Sequence, residues 1–369
     1  MSRILSISWY KVLPPKYGGQ KDIALFTKYL SQIHQVVLLC SKNNERAIDM
    51  PFETRAELSN SRSQFLNPFC WRKISASAKW FQPSTIILEH PYHGIAGWFA
   101  AKKTGAKLIV HSHNIESERF KSFGKWWWRA LAKYEKWVHQ KADLSLFKTE
   151  KDLHWAVAHF GLDNNKCMII PFGIEDHAID KKRSREAVCK RHNLPAEAKI
   201  LLFAATLDYG PNARAVELIF KEIATRLNHD DLKILICGRN NLQQYQYLKE
   251  LRHPNVLYAG EVEDIENYFA AADIFLDPVE TGGGVQTKII EALSYGLNVV
   301  CFKDLADKQF YLAGEKIFIS EKNDYDAMIK NICSALEKDL PTRSEFFEYY
   351  SWKNIIQRLN EKLTVGNDQ

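Results

Sequence analysis

Short apolar runs recur along the chain, and a longer segment with apolar residues at helical spacing follows each. This alternation predicts βα units on parallel sheets. In the first half the runs are Ile4–Trp9, Val36–Cys40, Thr85–Glu89, Leu108–His111, Leu144–Phe147 and Met168–Ile170. In the second half they are Ile200–Ala204, Lys233–Cys237, Val256–Tyr258, Ile274–Leu276, Val299–Phe302 and Ile317–Ile319. The rhythm runs twice. The expected fold class is therefore α/β, with two doubly wound Rossmann-like domains facing a cleft at the carboxyl ends of their strands. The charged segment Glu175–Arg191, after Pro171-Phe172-Gly173, reads as the linker and divides the chain into 1–173 and 174–351. An amphipathic helix from Trp352 to about Leu363 closes the pattern.

A length of 369 residues suits two domains rather than one core, and 46% hydrophobic with 25% charged residues is the balance of a folded, soluble protein. The opening MSRILSISWY lacks a signal peptide's long apolar stretch and reads as a first strand. No apolar stretch is long enough to span a bilayer. Cysteines 40, 70, 167, 189, 237, 301 and 333 stand alone, which argues against zinc or disulfides and for a reducing, cytoplasmic setting. Charge adds an asymmetry. Residues 1–172 carry 25 Lys and Arg against 13 Asp and Glu (+12), and the remainder carries 25 against 31 (−6). The first half is thus expected to face something anionic, either nucleic acid or an acidic membrane surface. No recognition motif accompanies the charge, so nucleic acid is set aside.

Candidate chemistry concentrates in Asp277-Pro-Val-Glu-Thr-Gly-Gly-Gly-Val-Gln-Thr-Lys-Ile-Ile-Glu-Ala-Leu-Ser-Tyr-Gly296. A buried strand runs into three glycines and then a helix, an arrangement that brings backbone amides and a helix N-terminus to a phosphate. Lys288 and Glu291, three apart, share a helix face. A cation near a diphosphate and a carboxylate for ribose hydroxyls suit a nucleotide-sugar; the alternative is a glycine-rich turn before a surface ion pair. In the first half, His111 and His113 flank a strand end. The stripe Trp127, Leu131, Tyr134 and Val138 has helical spacing with Lys and Arg between, suiting either sheet packing or an anionic headgroup layer, with Trp126 and Trp128 as the expected exposed pair.

Several fragments, in order, resemble family 4 of the retaining glycosyltransferases, which have the GT-B architecture, and the likeness covers nearly the whole chain. They are Pro14-Pro15…Gly18-Gly19, His111-Ser-His-Asn-Ile-Glu116, Ile170-Pro-Phe-Gly-Ile-Glu175, Leu207-Asp-Tyr-Gly-Pro-Asn212, Tyr258-Ala-Gly-Glu-Val-Glu-Asp264, the glycine-rich segment and Tyr350-Ser-Trp352. The resemblance implies transfer of a sugar from a nucleotide-sugar donor to an acceptor hydroxyl with retention and without cofactor or metal. It also implies that the last helix, within 352–369, crosses back to the first domain. Carried over, Glu291 binds the donor ribose, Lys288 approaches the phosphates, and Gly282, Gly283 and Gly284 offer amides to sugar or diphosphate. Gly18 and Gly19 close on the phosphates, and Gly260 and Val262 lie near the base. His113 positions the acceptor, with Glu116 and Arg119 binding its hydroxyls or phosphate. The expected catalytic set is then His113, Lys288 and Glu291, and the expected setting is bacterial surface glycan synthesis on a lipid-linked or membrane-proximal acceptor.

Three departures stand out. Gly283 occupies the place of the family's first glutamate, Ala205–Asn212 lacks the usual basic pair, and Asn298 replaces a proline. Without that pair, diphosphate stabilisation falls to Lys288, helix dipoles and Arg214. Two other readings keep the fold. One is a nucleotide-sugar epimerase that needs no acceptor, and the other a non-catalytic partner subunit, encouraged by Gly283. An NAD dehydrogenase is disfavoured because no Gly-x-Gly-x-x-Gly follows the first strand.

Overall fold

The computed structural model describes residues 1–15, 18–45, 50–61, 67–176, 180–227, 231–280, 287–303 and 308–365. Contacts divide the chain into two units, residues 1–173 with 350–369, and residues 174–349. In the first, β1 (Arg3–Ser8), β2 (Gln35–Ser41), β3 (Glu53–Leu58), β4 (Thr85–Glu89), β5 (Lys107–Ser112), β6 (Leu144–Phe147) and β7 (Cys167–Ile169) form one parallel sheet. Its spatial order is β3-β2-β1-β4-β5-β6-β7. In the second unit, β8 (Lys199–Ala204), β9 (Leu232–Cys237), β10 (Val256–Gly260), β11 (Ile274–Asp277), β12 (Asn298–Phe302) and β13 (Ile317–Ser320) pair in parallel as β10-β9-β8-β11-β12-β13. Both sheets reverse direction of strand order once, between β1 and β4 and between β8 and β11, which is the doubly wound pattern.

Strand residues alternate between two buried faces in the first unit. Ile4, Leu38, Ile87, Ile109 and Leu146 point to a core completed by Phe26 and Leu30 of α1 (Gly18–Leu30) and by Trp352, Ile355, Ile356 and Leu359 of the C-terminal helix (Trp352–Val365). Leu5, Val37, Leu39, Ile86, Leu88 and Val110 point the other way. They meet α2 (Pro68–Phe81), α3 (Gly94–Thr104) and α5 (Trp128–Lys141), the last following α4 (Glu116–Ser122). After β6 comes α6 (Glu150–Ala156), which Thr149 caps by accepting from the Asp152 amide. The second unit places α7 (Lys181–His192), α8 (Gly210–Leu218), α9 (Ile265–Ala271), α10 (Thr287–Ser294) and α11 (Tyr325–Glu337) around its sheet.

Two expectations change. The segment read as a linker is mostly α7, whose Ser184, Val188 and Cys189 are buried and which packs on α9. Arg185 donates to the Ala271 carbonyl at 2.6 Å and pairs with Asp273 at 3.0 Å, so part of the charge there is structural. The aromatic stripe divides as well. Val138 is fully buried and Tyr134 and Trp137 pack on the same core, whereas Trp126 is 88% exposed. Trp128 is half-buried, with Lys121 and Arg129 each 5.0 Å from its ring centre. Among the described residues no helix is long and apolar enough to cross a membrane.

One close approach fixes the C-terminal helix. A Cβ on Gly173 would lie 2.4 Å from Cδ2 and 2.5 Å from Cε2 of Trp352, whose rigid indole is fully buried. Gly173→Ala should therefore cost about 1–3 kcal/mol as overpacking, and Trp352→Ala about 3–5 kcal/mol as a large cavity. Urea titrations followed by tryptophan fluorescence and circular dichroism measure both. A Gly173→Ala protein as stable as the parent would show that the indole is not clamped there.

Candidate functional site

With both faces of each sheet covered, polar groups collect where strands end. At the carboxyl edge of the first sheet, β4 ends in Glu89 followed by His90, β5 leads to His111 and His113, and β6 leads to Lys148. Asp22 on α1 reaches the same point. All are buried, and their contacts form one chain. Oε2 of Glu89 lies 2.9 Å from both His111 Nδ1 and His113 Nε2, and the Ser6 hydroxyl donates to Oε1 at 3.2 Å. Nδ1 of His113 lies 2.9 Å from Asp22 Oδ2, which the Lys148 ammonium approaches to 2.6 Å. His90 stacks on His113 with ring centres 4.4 Å apart and planes 8° from parallel. Its backbone sits at φ 75, ψ 157, a strained region for a residue with a side chain.

The environment sets the charges. Burial opposes ionisation of Asp22, but Lys148 and His113 outweigh it and hold the carboxyl at about 2. Burial likewise opposes ionisation of Glu89, and His111 and His113 hold it far below the usual carboxylate range. Burial, with Lys148 nearby, pushes His111 down to about 4. His113 goes the other way: its bonds to Asp22 and Glu89 overcome burial and raise it. The stabilisation from His113 is thus complete below its ordinary pKa of about 6.5 and is lost as pH rises through the raised value. Donor atoms of Asp22, His111 and His113 lie within 4.8 Å of one another, a spacing that metal ligands use. Asp22, however, already holds Lys148, so the chain itself supplies the positive charge that a metal would bring.

Glu116 opens α4. It is fully buried, accepting from the Tyr92 hydroxyl at 2.7 Å and from Arg119 at 3.3 Å, with His90 Nε2 at 3.7 Å. Both hydrogen bonds go to Oε2, and Oε1 has no hydrogen-bond partner among the described residues, while the Arg119 side chain remains 48% exposed. Glu135 of α5 accepts the amides of Glu116 and Ser117 at 2.9 and 3.0 Å. Burial pushes its carboxyl up to about 7 against those bonds. Gly18 and Gly19 open α1, where the Tyr10 hydroxyl donates to the Gly19 carbonyl at 3.3 Å.

The carboxyl edge of the second sheet is built differently. Gly238, directly after β9, passes so close to the chain leaving β8 that a Cβ would fall 1.6 Å from the Ala205 carbonyl oxygen, at φ 153. Only glycine fits. Asp208 accepts the amides of Asn241 and Leu242, both at 2.7 Å, and pairs with Arg239 at 3.0 Å. These outweigh burial and lower its pKa. Asn240 donates to the Tyr258 hydroxyl at 3.0 Å, just before Gly260 (φ +70) and the half-buried Val262. Lys288 on α10 stands 3.4 Å from the Asn212 side-chain oxygen and 5.8 Å from the Phe203 ring centre. Burial lowers its pKa against the opposing pull of Asp277 and Glu291. Asp277, at the end of β11, is buried with no hydrogen-bond partner among the described residues, and burial raises its pKa despite Lys288. Arg214 pairs outward with Glu217 at 3.0 Å. Gly282, Gly283 and Gly284 lie outside the described residues.

The structure thus brings together Lys288, Glu291 and Asn212 in one unit and gathers His111 and His113 in the other. It adds Asp22, Glu89, His90 and Lys148, which were not singled out from the sequence, and Asp277, which opened the glycine-rich segment without a role of its own. A strand ending in Glu-His and a lysine directly after the apolar Leu144–Phe147 were the available signals.

Comparison with known proteins follows the same division. Residues 18–177 match a family model described as Glycosyltransferase Family 4, and residues 198–338 match one described as Glycosyl transferases group 1. A lipopolysaccharide 1,2-N-acetylglucosaminetransferase of Salmonella typhimurium is 22% identical over 202 residues, covering 50% of this chain. The match spans about half (52%) of that relative's own length. Among solved structures, a glycosyltransferase from Rickettsia africae superposes with TM-score 0.77 at 17% identity, covering 100% of this chain and 99% of that one. The Anabaena HepE protein, in complex with UDP-glucose, gives 0.73 at 14%, covering 99% and 100%. A sucrose-phosphate synthase of Thermosynechococcus elongatus gives 0.75 at 15%, covering 99% and 98%. These likenesses share the fold.

Removing Lys148 leaves the buried cluster of Asp22, Glu89 and His113 with an uncompensated negative charge. Lys148→Met should cost roughly 3–5 kcal/mol at neutral pH in urea titration. A loss below about 1 kcal/mol would place the Lys148–Asp22 pair with surface ion pairs and deny it a structural role.

Proposed function

The chain belongs to the family 4 glycosyltransferases of GT-B architecture, and from that premise we propose that it moves a sugar from a nucleotide-sugar donor to an acceptor hydroxyl with retention and without a metal. The observation that carries this reading is the pairing of Lys288 and Glu291 on one face of α10, beside Asn212 and Asp277 at the carboxyl edge of the second sheet. A partly desolvated ammonium interacts strongly with phosphate, and it does so most as negative charge grows on the departing diphosphate. Glu291, one helical turn on, accepts hydrogen bonds from ribose hydroxyls. Gly260 and Val262 line the base side, and the amides of Gly282, Gly283 and Gly284 serve the sugar or diphosphate. In the first unit, His113 and the half-exposed Arg119 serve the acceptor. The diphosphate takes the acceptor's proton, so the reaction requires no protein base.

The acceptor we propose is a glycan, lipid-linked or close to a membrane, in bacterial surface polysaccharide synthesis. Support comes from the name of the Salmonella relative, from the surplus of basic residues in 1–172, and from the surface corner where exposed Phe123 and Trp126 adjoin Lys125 and Arg129. Aromatic rings beside cations suit an anionic headgroup layer at the cytoplasmic face.

Two measurements test these parts separately. Glu291→Ala should weaken nucleotide binding ten- to a hundredfold, the equivalent of about 1.5–3 kcal/mol for a lost bond to a charged group. Lys288→Ala should lose mainly turnover. Calorimetric affinities and initial rates unchanged in both variants would remove α10 from the donor site. For the membrane, co-sedimentation should show binding to vesicles containing anionic lipid and none to neutral ones, with release by moderate salt. Replacing Lys125 and Arg129 by Glu should abolish that binding and spare activity on a soluble acceptor. Equal sedimentation with both vesicle types would assign the basic corner to another anion.

A further inference from the structure

His113 has an acidic oxygen at each ring nitrogen. Nδ1 lies 2.9 Å from Asp22 Oδ2 and Nε2 lies 2.9 Å from Glu89 Oε2. A neutral imidazole carries one N–H and one lone pair, and ionised carboxylates only accept. A neutral ring would therefore turn a lone pair toward a carboxylate, whichever tautomer it took. Only the doubly protonated ring satisfies both contacts. Charge balance agrees. Asp22 and Glu89 bring two negative charges into a buried cluster, Lys148 brings one positive charge, and a protonated His113 brings the cluster to zero. A neutral His113 would leave one uncompensated negative charge at a strand end, a costly state in a poorly hydrated site.

The neighbours reinforce the assignment. His111 meets the same Glu89 oxygen with Nδ1 at 2.9 Å, and burial keeps it neutral. His90, stacked on His113, is kept neutral by burial and by the charge of His113. Lys148, just after β6, works against protonation of His113, whereas Asp22 from α1 and Glu89 from β4 work for it. Tyr10, Glu116 and Arg119 form the outer ring of titratable and charged groups.

We propose that Asp22 and Glu89 are positioning residues that clamp His113 as an imidazolium, so that it gives the acceptor end of the reaction a fixed positive charge and never takes the acceptor's proton. The proposal rests on the sugar-transfer reading for its consequence, though not for its geometry. In the transfer step, the acceptor oxygen bonds to the anomeric carbon as the anomeric carbon–phosphate oxygen bond breaks. The departing diphosphate keeps that electron pair and receives the acceptor's proton. His113 enters and leaves the step with the same two protons.

The test reads the ring directly. In the full chain labelled with ¹⁵N-histidine, the His113 resonances, assigned by their loss in His113→Gln, should show two ring N–H groups and imidazolium nitrogen shifts from pH 6 to 8. Asp22→Asn removes a group that raises the His113 pKa. In that variant the proton should leave within this range, and turnover at pH 8 should fall at least tenfold below turnover at pH 6. The parent's profile should stay flat with respect to this group. Glu89→Gln should act in the same direction, and it serves if Asp22→Asn does not fold. A parent His113 that titrates at or below about 6.5 overturns the proposal. So does a variant whose His113 stays charged while activity falls equally at all pH values, which would mark the carboxylates as structural alone. One zinc ion bound per chain with loss of the His113 N–H signals would also overturn it. If no donor supports transfer but the ring signals are as expected, the sugar-transfer reading fails and the clamp stands.

Discussion

A parallel sheet covered by helices on both faces has little room for charged side chains except at the ends of its strands. That constraint shapes both units. Strands such as Ile86–Leu88 and Leu201–Phe203 are buried on both sides, so each chain segment can change character only where its strand stops. The result is a pair of edges at which carboxylates, histidines and lysines crowd together within a few ångströms. The two edges use this crowding differently. The first concentrates compensating charges that are already paired within the protein. The second leaves Asp277 without a hydrogen-bond partner among the described residues and holds Lys288 in a partly desolvated setting, where an incoming anion would be strongly felt.

Pairing explains how the first edge tolerates so much buried charge. Each of Asp22, Glu89 and Lys148 would be prohibitive alone, and each is acceptable because its neighbour is fixed by a different strand or helix. Backbone strain at His90 belongs to the same balance. Its amide still donates to the His111 carbonyl at 3.0 Å, so the chain keeps its ladder while turning the ring under His113. The cluster is therefore a product of sheet register as much as of side-chain chemistry, since Glu89 and His111 are register partners on adjacent strands.

Much of this was legible in the sequence. Apolar runs marked twelve of the described strands because covered strands need little polar patterning. Edge strand Glu53–Leu58 escaped notice because it is half-buried and reads ETRAEL, with charges where a central strand would have none. Helix Lys181–His192 was mistaken for a linker since its buried face is only Ser184, Val188 and Cys189. Asp22, Glu89 and Lys148 lie far apart in sequence, and only the winding order β1-β4-β5-β6 makes them neighbours. The burial of Glu116 against Tyr92 and Arg119 could not be seen without the fold, because its polarity alone suggested an exposed side chain.

The place of the C-terminal helix has a consequence for how the protein is made. Trp352, Ile355, Ile356 and Leu359 fill one face of the sheet whose strands lie in residues 3–169, yet they follow the entire second unit in sequence. During synthesis the ribosome exposes that sheet long before it supplies the residues that cover it. Phe26, Leu38, Ile109 and their neighbours must wait, apolar and accessible, while the second unit emerges and folds. The domain begun first is the one finished last, and for that interval the nascent chain is a natural client for chaperones that shelter apolar surface.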